Sequence, residues 1–369
     1  MTVSVERLTE FLDLTDFERA AAERVEPALW DFVSGGAGTE QTVAANLSAW
    51  RRVGVVPRVL NDVSRCTTRT ALLGSELGLP LGIAPMAYQR LLHPEGELAA
   101  AEAARDTGAV YVAGLLNSCA VEEIAAVGAI TWFQLYWLRD RRLTEALLER
   151  AEAAGCRAVV ITVDVPRMGR RLRDVRSGFT VPPHIRAANL PTGEQLSPAH
   201  HGRAGASSLM VHTTATFDPC LSWRDLEWLR GRTRLPLVVK GILDPDDAVR
   251  AVGVGADAVV VSNHGGRQLD GAVVSATALP AVYEALPDHV PVLVDGGIRS
   301  GVDVLRALAL GASAVLIGRP ALWGLAVGGA AGVRRVLALL ARELEDGLAL
   351  SGCSRPAEAA ALRTTLLAG

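Results

Sequence analysis

Eight short apolar runs rich in Val, Ile and Leu recur along this chain, and segments with helical periodicity separate them. Strands that are apolar at nearly every position are typical of a parallel sheet with helices on both faces. Eight strand and helix units in series therefore predict an α/β protein with a closed (β/α)₈ TIM barrel. The predicted strands are 81–84, 110–113, 130–135, 158–163, 237–240, 258–262, 292–294 and 314–317, and the helices between them include 95–105, 121–126, 143–154, 245–252 and 301–310.

The chain has 369 residues, which is more than the roughly 250 residues of a typical barrel. Residues 1–75 are predicted to form a helical extension that packs on a barrel spanning 76–369. A helical pattern over 17–33 in this extension has a break at Pro27. The long connection 166–236 leaves the C-terminal mouth of strand four, where barrel active sites lie. We therefore expect a lid at about 177–222.

Charge and cysteine usage exclude several classes of protein. The net charge is −3 and the sequence has no sustained run of Lys or Arg, so we expect no nucleic-acid partner. The five cysteines are scattered singly without metal-ligand spacing, which predicts reduced thiols in a cytoplasmic protein with no bound metal. The most apolar stretch, 307–333, is interrupted by Arg319 and Pro320, so we expect no membrane span.

Polar residues follow the predicted strands at the point where each strand ends. Because the C-terminal ends of barrel strands meet at one mouth, these side chains are expected to form an active site. A single strand-end Asp, Lys or His is often only a structural ion pair or a cap, but six such ends together favour a site. In the order of strands three to eight, they carry Gln134 and Tyr136, Thr162 and Asp164, Lys240, Ser262 and His264, Asp295, and Arg319.

The ends of strands seven and eight are predicted to bind a phosphate, as is common in this fold. Gly296 and Gly297 allow backbone amides to approach an anion, and the helix that follows directs its positive end towards it. Arg299 and Arg319 supply forked donors. Taken alone, either glycine-containing segment could equally be a tight turn.

A second group of residues predicts a carboxylate receptor beside a proton-transfer site. Arg171 follows strand four and Arg267 follows strand six, three residues after His264. Asp164 is placed to orient His264. Lys240 places a positive charge beneath a group that accepts electrons. The combination indicates an α-hydroxy acid as substrate and an electron-accepting cofactor that bears a phosphate.

At these residues the sequence resembles the FMN-dependent α-hydroxy-acid oxidase and dehydrogenase family. The resemblance extends from about residue 31 to residue 353. Its most specific motif is Ser-Asn-His-Gly-Gly-Arg-Gln-Leu-Asp at 262–270, at a predicted strand end. The other matching motifs are Ala-Pro-Met-Ala at 84–87, Phe-Gln-Leu-Tyr at 133–136 and Asp-Gly-Gly-Ile-Arg at 295–299.

The resemblance implies FMN as the cofactor and a role for each matching residue. His264 takes either the α-proton or the hydroxyl proton of the substrate, Asp164 supports it, and Lys240 stabilises the flavin near its N1. The implied substrate-binding residues are Phe32, Tyr136, Met168, Arg171, His264 and Arg267. The implied FMN-binding residues are Pro85, Met86, Ala87, Gly114, Gln134, Thr162, Lys240, Ser262, Asp295, Gly297, Arg299, Gly318 and Arg319.

Two positions depart from the usual family pattern. Phe32 stands where a tyrosine commonly hydrogen-bonds the substrate carboxylate, so one donor is lost and the pocket becomes more apolar. Gly114 stands where many oxidases have Ser or Ala, and it is expected to leave space beside the reacting edge of the flavin. Further apolar side chains expected in the pocket are Leu115, Leu116, Met168 and Leu209 or Met210. Such a pocket favours an aryl substrate.

The expected reaction is therefore oxidation of an aromatic (S)-2-hydroxy acid, such as mandelate or 4-hydroxymandelate, to the 2-keto acid. O₂ is expected as the acceptor and H₂O₂ as its product. Among family members the chain most resembles those that act on 4-hydroxymandelate in antibiotic biosynthesis. The family also implies a homotetramer.

Four alternatives stay open at this point. A soluble mandelate-type dehydrogenase would use an acceptor other than O₂, although the lid lacks the sustained apolar run of membrane-attached members. An oxidase of lactate or glycolate would act on small aliphatic 2-hydroxy acids. An FMN-barrel isomerase of prenyl diphosphates and a non-catalytic flavin- or phosphate-binding protein are disfavoured, because neither needs a carboxylate clamp beside His264.

Overall fold

The N-terminal extension is helical up to the first strand. The computed structural model describes residues 5–191 and 216–367. Its extension consists of α1 (Val5–Leu8), α2 (Leu14–Arg24), α3 (Pro27–Ser34) and α4 (Gln41–Arg51), followed by β1 (Val53–Val55). Pro27 begins α3 because it lacks the N–H that the first turn of a helix leaves unbonded. The predicted break in the helical pattern thus separates α2 from α3.

Eight parallel strands form a closed barrel, which confirms the predicted (β/α)₈ fold. A hairpin of β2 (Thr70–Leu72) and β3 (Ser75–Leu77) precedes it and spans residue 75, the predicted boundary of the extension. The barrel strands are β4 (Leu81–Ile83), β5 (Val110–Gly114), β6 (Ile130–Leu135), β7 (Val159–Thr162), β8 (Leu237–Ile242), β9 (Ala258–Val261), β10 (Val292–Asp295) and β11 (Ala314–Ile317). Strand β11 pairs with β4 and closes the ring.

The barrel strands are buried on both faces, which explains their continuous apolar sequences. Val112 and Val260 belong to an interior cluster of alternate strand residues. Leu72 and Leu77 of the hairpin join this cluster, so the hairpin packs at the end of the barrel where the strands begin. The other strand face packs under the surrounding helices in a second, larger cluster.

Helices follow the strands around the outside of the barrel. They are α5 (Gly96–Thr107), α6 (Val121–Ala126), α7 (Arg141–Ala153), α8 (Leu172–Ser177), α9 (Trp223–Arg230), α10 (Pro245–Gly253), α11 (Ser275–Ala285), α12 (Gly301–Ala309) and α13 (Arg319–Leu350). Short 3₁₀ turns occur at Gln89–Leu91, His264–Gly266 and Pro356–Ala361. A final strand, β12 (Thr364–Leu366), pairs antiparallel with β1 and ties the end of the described chain to the extension.

Helix α13 is the longest helix of the described chain. By length and composition alone it could cross a membrane, and 56% of its most apolar 18-residue window is buried inside the protein. Its backbone leaves helical geometry at Gly328 and Gly329, which divides it into two segments. It packs against α5 and α2 and so forms the outer layer that follows β11.

The long connection between β7 and β8 is described at its two ends. Helix α8 lies near its start, and α9 precedes β8. Residues 192–215 fall outside the described chain. Much of the predicted lid, together with the predicted pocket residues Leu209 and Met210, therefore lies outside the described residues.

Candidate active site

A cleft of about 1100 Å³, a volume that includes its open mouth, lies at the C-terminal ends of the barrel strands. It is where barrel active sites are built. The predicted site residues that line it are Phe32, Pro85, Met86, Ala87, Tyr136, Thr162, Lys240, His264, Arg267, Asp295, Gly297, Arg299, Gly318 and Arg319. The fold thus brings residues of the extension and of several strand ends to one cavity.

Within the described chain, the remaining predicted site residues lie outside the cavity lining; they are Gly114, Gln134, Asp164, Met168, Arg171 and Ser262. Several of them support the lining through hydrogen bonds. Gln134 donates from Nε2 to Thr162 Oγ1 at 3.0 Å and accepts from the Leu115 amide at 3.3 Å. Met168 is half-buried against the main core.

His264 and Asp164 form a hydrogen-bonded pair beside the cavity. His264 Nδ1 lies 3.0 Å from Asp164 Oδ1. Gly241 allows this approach, since a Cβ there would lie 2.7 Å from Asp164 Cγ. Burial opposes ionisation of Asp164, but the His264 ring and Lys240 outweigh it and lower the pKa of this carboxyl. An ionised Asp164 orients the imidazole so that Nε2 can exchange a proton with a ligand.

Lys240 forms a buried charge pair beside the cavity. Its Nζ lies 2.9 Å from Ser262 Oγ and 2.9 Å from Asp295 Oδ2, and Ser262 Oγ donates to Asp295 Oδ1 at 2.6 Å. Burial works against the charge on Lys240, but Asp295 and Asp164 overcome it and raise the pKa of the ammonium. The cavity therefore contains a fixed cation.

Three half-buried arginines, Arg267, Arg299 and Arg319, line the cavity. Arg267 and Arg319 donate to the Gly35 carbonyl oxygen at 2.6 and 2.8 Å, which holds the end of α3 against the barrel. Burial lowers the pKa of Arg299 to about 10 and that of Arg319 to about 9. Burial also lowers the pKa of Arg267, and the neighbouring Arg171 and Arg319 add to this effect. Several guanidinium groups this close together favour the binding of anions.

Arg171 lies next to these groups with donors to spare. Its Nη1 is 3.8 Å from Asp174 Oδ2, beyond hydrogen-bond distance. Arg171 Nε and Asp174 Oδ1 have no hydrogen-bond partner among the described residues. Burial lowers the pKa of Arg171 and raises that of Asp174. A buried guanidinium with unused donors beside Arg267 is suited to bind a carboxylate.

The loops after β10 and β11 form a cradle that fits a phosphate. Gly296 and Gly297 have φ angles of 93° and 88°, and a Cβ on Gly297 would lie 2.3 Å from the Asn46 carbonyl oxygen. Helix α13 begins at Arg319, so the positive end of its dipole lies at the cavity. Backbone amides, a helix start and the Arg299 and Arg319 guanidinium groups together fit the phosphate of FMN.

Two stacked aromatic pairs flank the substrate side of the cavity. Phe32 stacks on Phe179 with ring centroids 4.8 Å apart, and Tyr136 stacks on Phe217 at 4.5 Å. Burial raises the pKa of Tyr136 to about 12, so its hydroxyl stays protonated and can donate a hydrogen bond. Sequence analysis missed Phe179 and Phe217, because both lie in the long β7–β8 connection, outside any recognisable motif.

Gly114 lies close to two buried amide side chains. A Cβ at Gly114 would lie 3.0 Å from Asn117 Oδ1 and 3.5 Å from Gln134 Oε1. Asn117 is fully buried. Glycine accommodates these two amides, and the space expected beside the flavin edge stays a prediction. No pattern in the sequence indicates that Asn117 folds back onto its own strand end.

The apolar part of the cavity wall differs from the prediction. Leu29, Leu91, Leu92 and Leu322 line the cavity, and none of them was predicted. Leu115 and Leu116, which were expected there, lie instead among the buried core residues. Leucines in helices and turns carry no signal that separates a cavity wall from an ordinary core.

A TIM barrel with a phosphate cradle, a buried cation and a His–Asp pair beside clustered arginines defines a flavin-dependent enzyme of 2-hydroxy acids. The chain belongs to the FMN-dependent dehydrogenase family, whose sequence model matches residues 21–365. The family resemblance and the FMN cofactor are thereby confirmed. The protein is an FMN-dependent enzyme that oxidises 2-hydroxy acids.

Individual relatives cover almost the whole chain. It is 51% identical over 356 residues to 4-hydroxymandelate oxidase of Amycolatopsis orientalis, covering 96% of this chain and 99% of the relative. It is 49% identical over 349 residues to L-lactate oxidase of Nostoc sp., covering 93% and 95%. A crystal structure of mandelate oxidase with (S)-4-hydroxymandelic acid matches with a TM-score of 0.93 at 51% identity, covering 96% of this chain and 99% of that one.

Proposed function

We propose that this enzyme oxidises an aromatic (S)-2-hydroxy acid, such as (S)-mandelate or (S)-4-hydroxymandelate, to the 2-keto acid with O₂ as acceptor. The substrate loses two electrons and two protons, and O₂ takes up both to become H₂O₂. The observation that carries the proposal is the His264–Asp164 pair beside a cavity that Arg267 and Tyr136 also line.

The side chains around this cavity divide the work of binding and proton transfer. Arg171 and Arg267 bind the substrate carboxylate, and Tyr136 donates a hydrogen bond to a substrate oxygen. His264 takes the proton from the α-carbon or the hydroxyl, and Asp164 stabilises the imidazolium that results. Phe32 and Met168 complete the substrate side.

When bound, FMN accepts the two electrons that the substrate releases. Its phosphate is held by Gly297, Arg299, Gly318 and Arg319, and Asp295 binds the ribityl chain. Lys240 supplies a positive charge at the flavin ring. The other residues that position the ring are Pro85, Met86, Ala87, Gly114, Gln134, Thr162 and Ser262.

The preference for an aromatic substrate rests on the cavity wall. The chain is 51% identical to an oxidase of an aromatic 2-hydroxy acid and 49% identical to an oxidase of an aliphatic one. These identities are too similar to choose between aromatic and aliphatic substrates. The wall, however, includes Phe32, Leu29 and Leu92. Burial of apolar area contributes about 25 cal/mol per Å², and an aryl ring has far more area to bury than a methyl group. An oxidase of lactate or glycolate is the second candidate, favoured by the lactate oxidase relative.

We also propose a homotetramer in the cytoplasm that serves antibiotic biosynthesis. The five cysteines are free thiols, which suits a reducing compartment. Val59, Leu60 and Leu366 are exposed apolar side chains of the kind that subunit contacts cover. The pathway assignment rests on the similarity to the 4-hydroxymandelate oxidase alone.

Replacing Arg299 is expected to weaken FMN binding. Arg299 lies over the Trp323 ring at 4.8 Å and lines the cavity. Arg299→Met removes one charged hydrogen bond to the phosphate, worth about 1.5–3 kcal/mol, so the FMN dissociation constant should rise about 10- to 10²-fold. Titration of the apoprotein with FMN measures it. Arg250→Met is the control, because Arg250 lies over Trp223 in a similar contact elsewhere. Equal FMN affinity in Arg299→Met and the wild type contradicts the phosphate role.

The proposed reaction predicts a fixed stoichiometry under air. One keto acid and one H₂O₂ should form per O₂ consumed with (S)-mandelate or (S)-4-hydroxymandelate, and kcat/KM should exceed that for lactate or glycolate. An oxygen electrode combined with peroxide and keto-acid assays measures the O₂ consumed and the H₂O₂ and keto acid formed, and the initial rates give kcat/KM. A lactate or glycolate preference selects the second candidate. Negligible O₂ consumption with rapid reduction of an artificial acceptor selects the dehydrogenase alternative.

Phe32→Tyr is expected to narrow the preference for mandelates. The Arg267 guanidinium lies 5.6 Å from the centre of the Phe32 ring, so a hydroxyl here would lie close to the carboxylate clamp. Every substrate carboxylate should gain a contact worth about 1.5–3 kcal/mol, but only mandelates lose part of their apolar wall, so the net gain is larger for lactate and glycolate. The kcat/KM ratio of mandelate to lactate measures the change, with Phe11→Tyr as a control in the extension. An unchanged ratio shows that Phe32 does not set specificity.

A further inference from the structure

Two buried asparagines, 217 residues apart in sequence, join the extension to the loop that carries His264. Asn46 Nδ2 donates to Asn263 Oδ1 at 2.9 Å, and Asn263 Nδ2 donates to Asn46 Oδ1 at 2.8 Å. Asn46 lies in α4, and Asn263 directly precedes His264. In this reciprocal pair, each side-chain amide donates one hydrogen bond to the other and accepts one from it.

Asn263 uses the rest of its amide to hold its own loop. Its Oδ1 also accepts from the Gly266 amide at 3.2 Å, and its Nδ2 also donates to the Val273 carbonyl oxygen at 3.2 Å. All four hydrogen-bonding positions of the Asn263 amide are therefore filled. Two of these four hydrogen bonds are made with Asn46, which lies outside the loop. The other two are made with Gly266 and Val273, which belong to the loop.

The loop needs such support because its backbone is unusual. His264 has a φ of 57°, in the left-handed region, and Gly265 and Gly266 follow at 64° and 75°. A residue with a Cβ in this conformation costs about 1–3 kcal/mol and persists only where the surroundings over-determine it. The His264 amide donates to Ser262 Oγ at 3.1 Å, which fixes one side of the turn. The Asn263 amide fixes the other.

Helix α4 also contacts the loop of the phosphate cradle. Trp50 Nε1 donates to the Gly296 carbonyl oxygen at 2.8 Å, and the Asn46 carbonyl oxygen occupies the position that a Cβ on Gly297 would need. One helix of the extension thus supports the loop that carries the base and the loop that would hold the phosphate. The Asn46 side chain contacts the first of these loops, through Asn263.

We propose that Asn46 is a positioning residue for His264. Through Asn263 it keeps the 263–266 turn in its left-handed conformation, so that the imidazole stays on Asp164 and faces the cavity. The proposal rests on the proposed role of His264 as the base. It assigns to the N-terminal extension a part in proton transfer, in addition to the residues that the extension contributes to the cavity wall.

The test is a double-mutant cycle between Asn46 and His264. Asn46→Leu removes both hydrogen bonds at similar volume, and we expect the rate constant of flavin reduction by (S)-mandelate to fall about 10- to 10²-fold, as for a misplacement of about 1 Å. The Kd of mandelate and the FMN content should stay within about threefold, because within the described chain the side-chain hydrogen bonds of Asn46 go to Asn263 and to no residue of the clamp or the cradle. In a His264→Asn background the same substitution should cost no further rate, because coupled residues are not additive.

Three results overturn the inference. They are an unchanged reduction rate in Asn46→Leu, a loss that persists undiminished in the His264→Asn background, and a loss explained wholly by lower FMN content. If Asn46→Leu does not fold, Asn46→Ser enters the same cycle with the same criteria. Asn61→Leu is the matched control, since Asn61 makes a side-chain hydrogen bond to the Gly352 carbonyl oxygen on the surface. If His264→Asn alone keeps the wild-type rate of flavin reduction, the proposed role of His264 as the base is wrong, and the Asn46 inference is not the cause of the failure.

Discussion

Replacing His264 by asparagine is expected to slow flavin reduction by about 10²–10⁴-fold, the usual contribution of a general base. The asparagine keeps a polar side chain opposite Asp164 but cannot accept a proton. Substrate affinity should change little, because Arg171 and Arg267 are untouched. Anaerobic stopped-flow absorbance of the flavin with (S)-mandelate separates the reduction rate constant from the Kd.

The control for this prediction is His289→Asn, because His289 is exposed on the surface. It should match the wild type in both constants. A near-normal rate of flavin reduction in His264→Asn would show that another group takes the substrate proton. Loss of bound FMN in His264→Asn would instead show that the 263–266 turn supports the cofactor. The reduction rate would then be compared per bound flavin.

The barrel could be predicted from sequence because burial on both faces imposes a simple pattern. Strands β6 and β11 begin and end at the predicted residues. Strand β8 extends to Ile242, beyond its predicted end at residue 240, and its pairing with β9 shifts register between Lys240 and Ile242. The shift coincides with Gly241 at a φ of 110°. Apolar periodicity cannot show such an irregularity, since it depends on how closely Asp164 must approach the strand.

The site was predictable where its residues follow strands in short motifs. His264, Lys240, Asp295 and Arg319 fall at strand ends, and the closed barrel brings them to one cavity. Residues that support the site from distant segments were missed. Asn46 lies on an N-terminal helix, and it reaches the site through a hydrogen bond to a residue 217 positions away. No local pattern distinguishes it from a surface asparagine.

The arginines around the cavity differ in what else they hold. Arg267 and Arg319 donate to carbonyl oxygens of the segment after α3, so replacing either also loosens the extension. Arg171 has only Asp174 nearby as a charge partner, at 3.8 Å, and its Nε is unbonded in the described chain. Arg171 is therefore the residue at which the carboxylate role can be separated from the packing of the extension.

Arg171→Met is expected to lower kcat/KM for (S)-mandelate by about 10²–10⁴-fold. Two charged hydrogen bonds from the buried Arg171 guanidinium contribute about 3–6 kcal/mol, and each 1.36 kcal/mol is a factor of ten in rate. Mandelamide, which has no carboxylate charge, should lose far less, so the preference for the acid over the amide should collapse. Steady-state kinetics with both substrates measure this ratio.

The paired carboxylate provides the control for Arg171. Removing one partner of a buried ion pair leaves the other uncompensated and destabilises the fold. Asp174→Asn combined with Arg171→Met avoids that penalty, so the double variant should unfold at a higher temperature than Arg171→Met and still show the collapsed acid-to-amide ratio. Asp174→Asn alone keeps the guanidinium and should keep the preference for the acid. An equal loss for acid and amide in Arg171→Met would mean that Arg171 shapes the pocket without binding the carboxylate, and the clamp would then rest on Arg267 alone.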